Sequence, residues 1–227
     1  MNSIPALLPI ASVGRALADM TPSGWAHCVA PIDDHFGELF LEEQAMLHDC
    51  VEQRRREFAT GRRCVRQALQ ALGARSAPIM AGANRAPIWP DGFRASLSHS
   101  MGLCAAVAAT TRSARAIGLD IEWIAGVDPT LLATVARPDE LSAHRRKTTP
   151  GELAACLFSI KEAVFKAYNP VTGAFLEFFD ITVRLNVVQG AFRAELTNKS
   201  SPRLFGGRRI NGRFATAGGY VIALASV

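Results

Sequence analysis

The stretch Ile117-Gly118-Leu119-Asp120-Ile121-Glu122 carries two carboxylates two positions apart. In an extended strand this spacing turns both acids to one face and leaves Leu119 and Ile121 on the other. Two acids so placed can share one hard cation, and without one their like charges repel and raise one pKa. A polar face on an edge strand accounts for the same pattern equally well. Further on, Glu162 and Lys166 stand four apart within Phe158-Ser159-Ile160-Lys161-Glu162-Ala163-Val164-Phe165-Lys166-Ala167, the spacing of an ordinary surface ion pair on a helix. Phe158 and Phe165 share that sector, where a solvated face rarely places two phenylalanines, so the face is expected to be covered. Ser96-Leu97-Ser98-His99-Ser100 sets one histidine between serines ahead of an apolar run, and alone it reads as a polar turn between strands.

The elements that position these groups follow from apolar periodicity. A helix is predicted from about 42 to 72, with Phe58, Val65, Leu69 and Leu72 on its seam, Gly73 as its stop and Gly61 as a possible break. A seven-residue step nearly closes two turns, so Arg55 and Arg62 share one stripe and Arg56 and Arg63 the next. With Arg54 and Arg66 they form the densest basic patch of the chain. Either it is a solvated face, or, being without compensating acids, it suits an anion. A second helix is predicted over 151–168, with Leu153, Leu157, Ile160, Val164 and Ala167 as its core stripe, Thr149-Pro150 as its start and Asn169-Pro170 as its end. Strands are predicted over 93–98, 104–109, 116–122, 179–185, 191–196, 208–214 and 220–225.

A helix with strands in each half, and the likeness of Gly-Leu-Cys-Ala-Ala-Val-Ala-Ala to the terminal Gly-Tyr-Val-Ile-Ala-Leu-Ala, indicate an α+β fold. The expected division is into two pseudo-symmetric halves, residues 1–112 and 113–227, each a small antiparallel sheet packed with helices. With 227 residues and 49% apolar content the chain can bury a real core. Its five cysteines are scattered singly and read as small buried hydrophobes of a reducing compartment. The apolar N-terminus lacks a basic stretch and carries Pro5 and Pro9, so it does not read as secretory, and no run is long enough to span a bilayer. A cytoplasmic, monomeric protein is expected, without membrane contact. The net charge of +5 favours an anionic partner without requiring one.

Taken together, the Ser-His segment, Gly-Leu-Asp-Ile-Glu and Phe-Ser-Ile-Lys-Glu-Ala-Val-Phe-Lys occur in the order of the 4'-phosphopantetheinyl transferase superfamily signature, which this chain resembles. Arg-Arg-Arg-Glu-Phe-Ala-Thr-Gly-Arg-Arg-Cys and Arg85-Ala86-Pro87-Ile88-Trp89-Pro90-Asp91-Gly92 look like the branch serving siderophore and other nonribosomal synthetases, the enterobactin synthetase component D type. The likeness covers about residues 54–167.

The resemblance implies the family's fold and its activity: transfer of phosphopantetheine from coenzyme A to a serine of an acyl, peptidyl or aryl carrier protein, leaving adenosine 3',5'-bisphosphate. It implies that Asp120, Glu122 and Glu162 hold Mg²⁺ and that Glu162 is the base. Lys166 would reach the pyrophosphate, with Lys161 in support or in the site wall. Ser98 and His99 would meet the phosphates, Arg55 and Arg62 the 3'-phosphate end, and Arg85 the adenine or that phosphate, with coenzyme A between the halves. Arg54, Arg56 and Arg63 are read as surface residues. Asn84 stands where some relatives carry a lysine, and the cluster His144-Arg145-Arg146-Lys147 could face an acidic carrier protein or solvent. A Mg²⁺-dependent nuclease is the rival enzyme class, but its lysine is wanted two positions after the second acid, where Ile124 stands. A noncatalytic nucleic-acid-binding module lacks an aromatic platform and a helix-turn-helix pattern.

Overall fold

The structure, a computed structural model, describes residues 7–82, 86–144, 148–198 and 201–227. The chain divides into two compact units, Met1–Arg115 and Ala116–Val227.

The first unit contains α1 (Leu7–Met20), β1 (Ala26–Pro31), α2 (Leu41–Ala45), α3 (Glu52–Ala71), β2 (Phe93–Ser100) and β3 (Leu103–Thr110). Its antiparallel sheet has the order β1-β3-β2. The central strand β3 is an almost unbroken apolar run, as expected of a strand buried on both faces. Cys64, Val65, Ala68 and Leu69 of α3 pack on Ala30, Cys104, Ala106 and Ala108 of the sheet. The single helix predicted over 42–72 is in fact two: the chain leaves the helical path after α2 and restarts at Val51, whose backbone is extended (φ −64°, ψ 155°). His48, Asp49 and Cys50, all weak helix formers, occupy the break. Gly61, in contrast, does not interrupt α3. It lies against β2, where a Cβ would stand 3.4 Å from Leu97 Cδ1.

The second unit contains β4 (Ile117–Trp123), α4 (Leu132–Val135), α5 (Pro138–His144), α6 (Pro150–Thr172), β5 (Ile181–Asn186), β6 (Ala191–Leu196), β7 (Arg209–Ala217) and β8 (Tyr220–Ser226). The antiparallel sheet order is β4-β8-β7-β6-β5. A capping box starts α6: Thr149 Oγ1 accepts from the Glu152 amide, and the Glu152 carboxylate accepts from the Thr149 amide, with Pro150 in the first turn. The backbone hydrogen bond to the Glu152 carboxylate, with two more from Thr148 and Thr149 hydroxyls, holds its pKa below the usual range. The helix continues through Asn169-Pro170, where the sequence reading ended it, and stops at Gly173, which has φ +68° and donates to Asn169 O (2.8 Å). Pro170 has no N–H to donate to Lys166 O, and the helix ends within three residues of it. Leu153, Leu157, Ile160, Val164 and Ala167 face Ile181, Val183, Phe192, Ala194 and Ile210, which makes this the larger core.

The internal echo seen in the sequence has a structural counterpart. Both echoed segments are the second strand of a hairpin with a two-residue turn, Met101-Gly102 before β3 and Gly218-Gly219 before β8. All four turn residues have positive φ (38°, 83°, 58° and 84°), the type I' geometry that matches strand twist. Each of these strands is paired on both sides, β3 by β1 and β2, β8 by β4 and β7.

One glycine sets the spacing between β4 and α6. A Cβ at Gly118 would lie 1.8 Å from Ala163 O and 2.7 Å from Ala167 N, both backbone atoms of α6. Gly118→Ala is therefore expected to destabilise the protein by about 3 kcal/mol or more, as overpacking against backbone that cannot yield. A urea unfolding midpoint within error of the parent's would contradict this. No helix among the described residues is long and apolar enough to cross a membrane.

Candidate active site

Gly118, Asp120 and Glu122 alternate onto one face of β4, and Gly118 shows that this face meets α6. The close approach buries Asp120, which is only 3% exposed despite lying on an edge strand. Leu119 and Ile121 are fully buried as well, so β4 is not a strand with a solvated polar face. The Lys166 Nζ of α6 donates to Asp120 Oδ1 at 2.7 Å. Glu162, one turn earlier on the same helical face, is half-buried. Its carboxyl pKa is raised, chiefly by burial and further by the negative charge of Asp120, while Lys166 opposes the shift. Three charged groups from two elements thus act on one another at the β4–α6 contact, with Glu122 following on the same strand face.

The ion pair expected between Glu162 and Lys166 has this different centre: the helix contributes both residues, and the strand's Asp120 takes the ammonium. The phenylalanines of this sector are covered by the chain that follows α6. Phe158 packs on Phe178 (ring centroids 5.5 Å apart) and Phe165 on Phe175 (5.2 Å).

Lys161, expected beside Lys166 at the substrate, lies elsewhere. One residue before Glu162 is about 100° around the helix, which turns it into the core. Its ammonium is fully buried, 2.8 Å from Glu140 Oε2, 2.7 Å from Val135 O and 3.0 Å from Phe178 O. Burial lowers its pKa and Glu140 opposes the change. Glu140, on α5, also accepts from the amides of Arg137 (2.6 Å) and Val183 (2.6 Å). The pair is a strut joining α5, α6 and β5. The sequence reading missed Glu140 because it lies in a stretch without diagnostic pattern.

In the first unit His99 is on β2 rather than in a turn, and its face is turned to α3. Its Nε2 is 3.3 Å from Arg54 Nη1 and 3.8 Å from Glu57 Oε2. Strand alternation sends the Ser98 side chain to the opposite face, so the two do not form one side-chain cluster. Arg54, read as a surface residue, is exposed and is also a neighbour of the histidine.

Arg62 is buried (5% exposed), stacks over the Phe58 ring at 4.3 Å and lies 3.7 Å from Glu43. Burial brings its pKa down to about 10, against the pull of Glu43. Arg55 donates to His48 O (3.2 Å) and stands 5.7 Å over the Phe36 ring. The Nε atoms of both arginines are buried without a hydrogen-bond partner among the described residues. The ridge does have compensating acids, contrary to the sequence reading. Glu43, fully buried, takes both its oxygens to Arg66 Nη1 (2.8 Å each) and accepts from the Ile79 amide, Glu38 pairs with Arg63 (3.1 Å), and Glu52 pairs with Arg56. Glu43 also accepts from the Phe40 amide (3.1 Å) at the start of α2, but Arg66 and Ile79 lie far along the chain, so nothing local marked it as their partner. Arg85, Asn84 and Arg145–Lys147 lie outside the described residues.

Among the described residues no group of three or more His, Cys, Asp or Glu side chains is arrayed to hold a metal ion. The donor set nevertheless fits a hard divalent cation. It is all carboxylate oxygen, two acids on one strand face and a third acid brought by the helix, and part of its charge is already neutralised by a lysine.

Comparison with known proteins identifies the class these features define. Residues 42–109 match the 4'-phosphopantetheinyl transferase N-terminal domain, and residues 116–225 match the 4'-phosphopantetheinyl transferase superfamily. The 4'-phosphopantetheinyl transferase Svp of Streptomyces mobaraensis is 36% identical over 204 residues, covering 86% of this chain and 81% of Svp. Npt of Nocardia iowensis, of the same description, is 32% identical over 192 residues, 79% of this chain and 85% of Npt. Enterobactin synthase component D of Salmonella typhimurium is 35% identical over 134 residues, 58% of this chain and 55% of that protein. The chain belongs to the 4'-phosphopantetheinyl transferase superfamily, and it is an enzyme of that activity.

Proposed function

We propose that this enzyme moves the 4'-phosphopantetheine arm of coenzyme A to a serine hydroxyl of an apo acyl, peptidyl or aryl carrier protein and releases adenosine 3',5'-bisphosphate. The observation that carries the reading is the meeting of Asp120, Glu162 and Lys166 where β4 and α6 touch. Attack of a hydroxyl on the β-phosphorus of a pyrophosphate needs a proton acceptor, a donor to the phosphate oxygens and neutralised charge. Glu162 is suited to the first task as a half-buried carboxylate that interacts with both Asp120 and Lys166. Lys166, about a third exposed, is suited to the second: a compact ammonium on a flexible stem that can serve phosphate oxygens as a point charge. Asp120, Glu122 and Glu162 would hold Mg²⁺, which would supply the remaining charge neutralisation when bound.

Arg55 and Arg62 are assigned to the 3'-phosphate end of coenzyme A. The buried Nε of Arg55, without a hydrogen-bond partner among the described residues, supports this for Arg55, since such an N–H can serve an anion, whereas Arg62 Nε already has the Glu43 carboxylate 3.7 Å away. His99 is assigned to the phosphates, with Arg54 beside it. Arg85, outside the described residues, stays assigned to the adenine or that phosphate, and Ser98 can join His99 only from the other strand face. All five cysteines are free thiols, which fits work in the reducing cytoplasm.

The test is incubation with Mg²⁺, coenzyme A and a panel of apo carrier proteins, followed by intact mass measurement. The expected product gains one phosphopantetheine arm, and the gain disappears with chelator. Absence of any gain across the panel, together with metal-dependent cleavage of nucleic acid, would overturn the reading.

A further inference from the structure

Three of the five cysteines converge beneath α3 although they are far apart in sequence. Cys28 on β1 pairs in register with Ala106 and Cys104 on β3 with Ala30, so the two thiols sit diagonally on the sheet face that α3 covers. Cys64 descends from α3 onto that face and belongs to the same core cluster. Its thiol interacts with those of both Cys28 and Cys104, which pushes its pKa up. Cys104 is fully buried, whereas Cys28 is half-buried at the rim and donates to Gln67 Oε1 at 3.1 Å. The interaction with Cys64 and the charge of Arg63 lower the pKa of Cys28. None of these thiols has a part in the transfer reaction.

We infer that Cys28 and Cys64 form a peroxide-oxidisable, thiol-reversible site that locks β1 to α3. The oxidant is a hydroperoxide such as hydrogen peroxide. The Cys28 thiolate attacks a peroxide oxygen, the O–O bond breaks, and hydroxide leaves to become water with the proton that the Cys28 thiol had released, giving a sulfenic acid. Cys64 sulfur then attacks the sulfenic sulfur, the S–O bond breaks, and the leaving hydroxide takes the Cys64 proton as a second water. Two thiols supply the two electrons that reduce one peroxide to two waters. Cys28 is the attacking thiol because it alone of the three reaches solvent, and Cys64 resolves because it is the thiol in contact with it.

The bridge closes a loop running from β1 through α2 to α3, which restricts the unfolded chain. The reduced full-length protein is treated with hydrogen peroxide, and its intact mass and cysteine-linked peptides are read. The expected result is loss of two hydrogens, a Cys28–Cys64 cross-linked peptide, and a rise in Tm of several degrees that dithiothreitol reverses. Cys28→Ser abolishes all three changes, while Cys156→Ser keeps them. Oxygen added to Cys28 without a bridge, a bridge between any other pair, or a chain left fully reduced would each overturn the inference.

Discussion

Asp120→Asn lowers the rate of phosphopantetheine transfer by about a thousandfold or more, while the urea unfolding midpoint stays close to the parent's. Asparagine keeps the volume at this buried position and an oxygen that can still accept from Lys166 Nζ, now 2.7 Å from Oδ1. Packing against α6 is therefore preserved. What is lost is one negative charge, which serves the proposed site in two ways: it would be a ligand for the cation, and it holds the Lys166 ammonium beside Glu162. Removing a preorganised electrostatic group in a buried site costs about 10²–10³ in rate, and loss of a cation ligand adds to it. The measurement is single-turnover transfer at saturating coenzyme A, with circular dichroism and urea unfolding alongside. A variant that keeps more than a tenth of the parent rate would remove Asp120 from the machinery, and with it the reading of the β4–α6 contact as the reaction centre.

Lys161→Met has the opposite signature: a large loss of stability and little change in the affinity of the folded enzyme for coenzyme A. The substitution leaves Glu140 with a fully buried carboxylate whose cationic partner is gone. Breaking a buried pair by removing one member costs about 3–5 kcal/mol. Glu140→Gln combined with Lys161→Met removes both charges and keeps an acceptor for the Val183 amide, so it recovers a substantial part of that loss. Urea midpoints of the single and double variants give the stabilities, and KM for coenzyme A, measured where each variant is folded, tests the substrate contact. An unchanged midpoint with a KM raised tenfold would return Lys161 to the phosphates.

What the sequence made legible and what it hid differ in kind. The signals for α6 are local: Thr149, Pro150 and Glu152 at its start lie within four residues, and its apolar stripe repeats each turn. The grouping of Asp120, Glu162 and Lys166 came from motifs in register with family relatives, and the structure brings these three together. The fate of buried charge was not legible, because it depends on partners remote in the chain. Glu140 meets Lys161 from 21 residues away, and Glu43 meets Arg66 from 23. Consequently the arginine ridge looked uncompensated and Lys161 looked like a substrate ligand. The elements α1 and β1 passed unread as well: Pro9 in the first turn of α1 obscures its helical character, and β1 is a short segment of small residues with little β-branching.

The glycine of Gly-Leu-Asp-Ile-Glu has a consequence for how the motif is understood. It offers no reagent to the reaction, yet the gap between strand and helix, and so the reach from Lys166 to Asp120, is gauged by the single hydrogen it carries in place of a side chain. Such a signature combines reactive groups with shims, and a variant survey scored by activity alone would count both as catalysts. Only the shim, when thickened, gives way in an unfolding curve before it fails in an assay at low temperature.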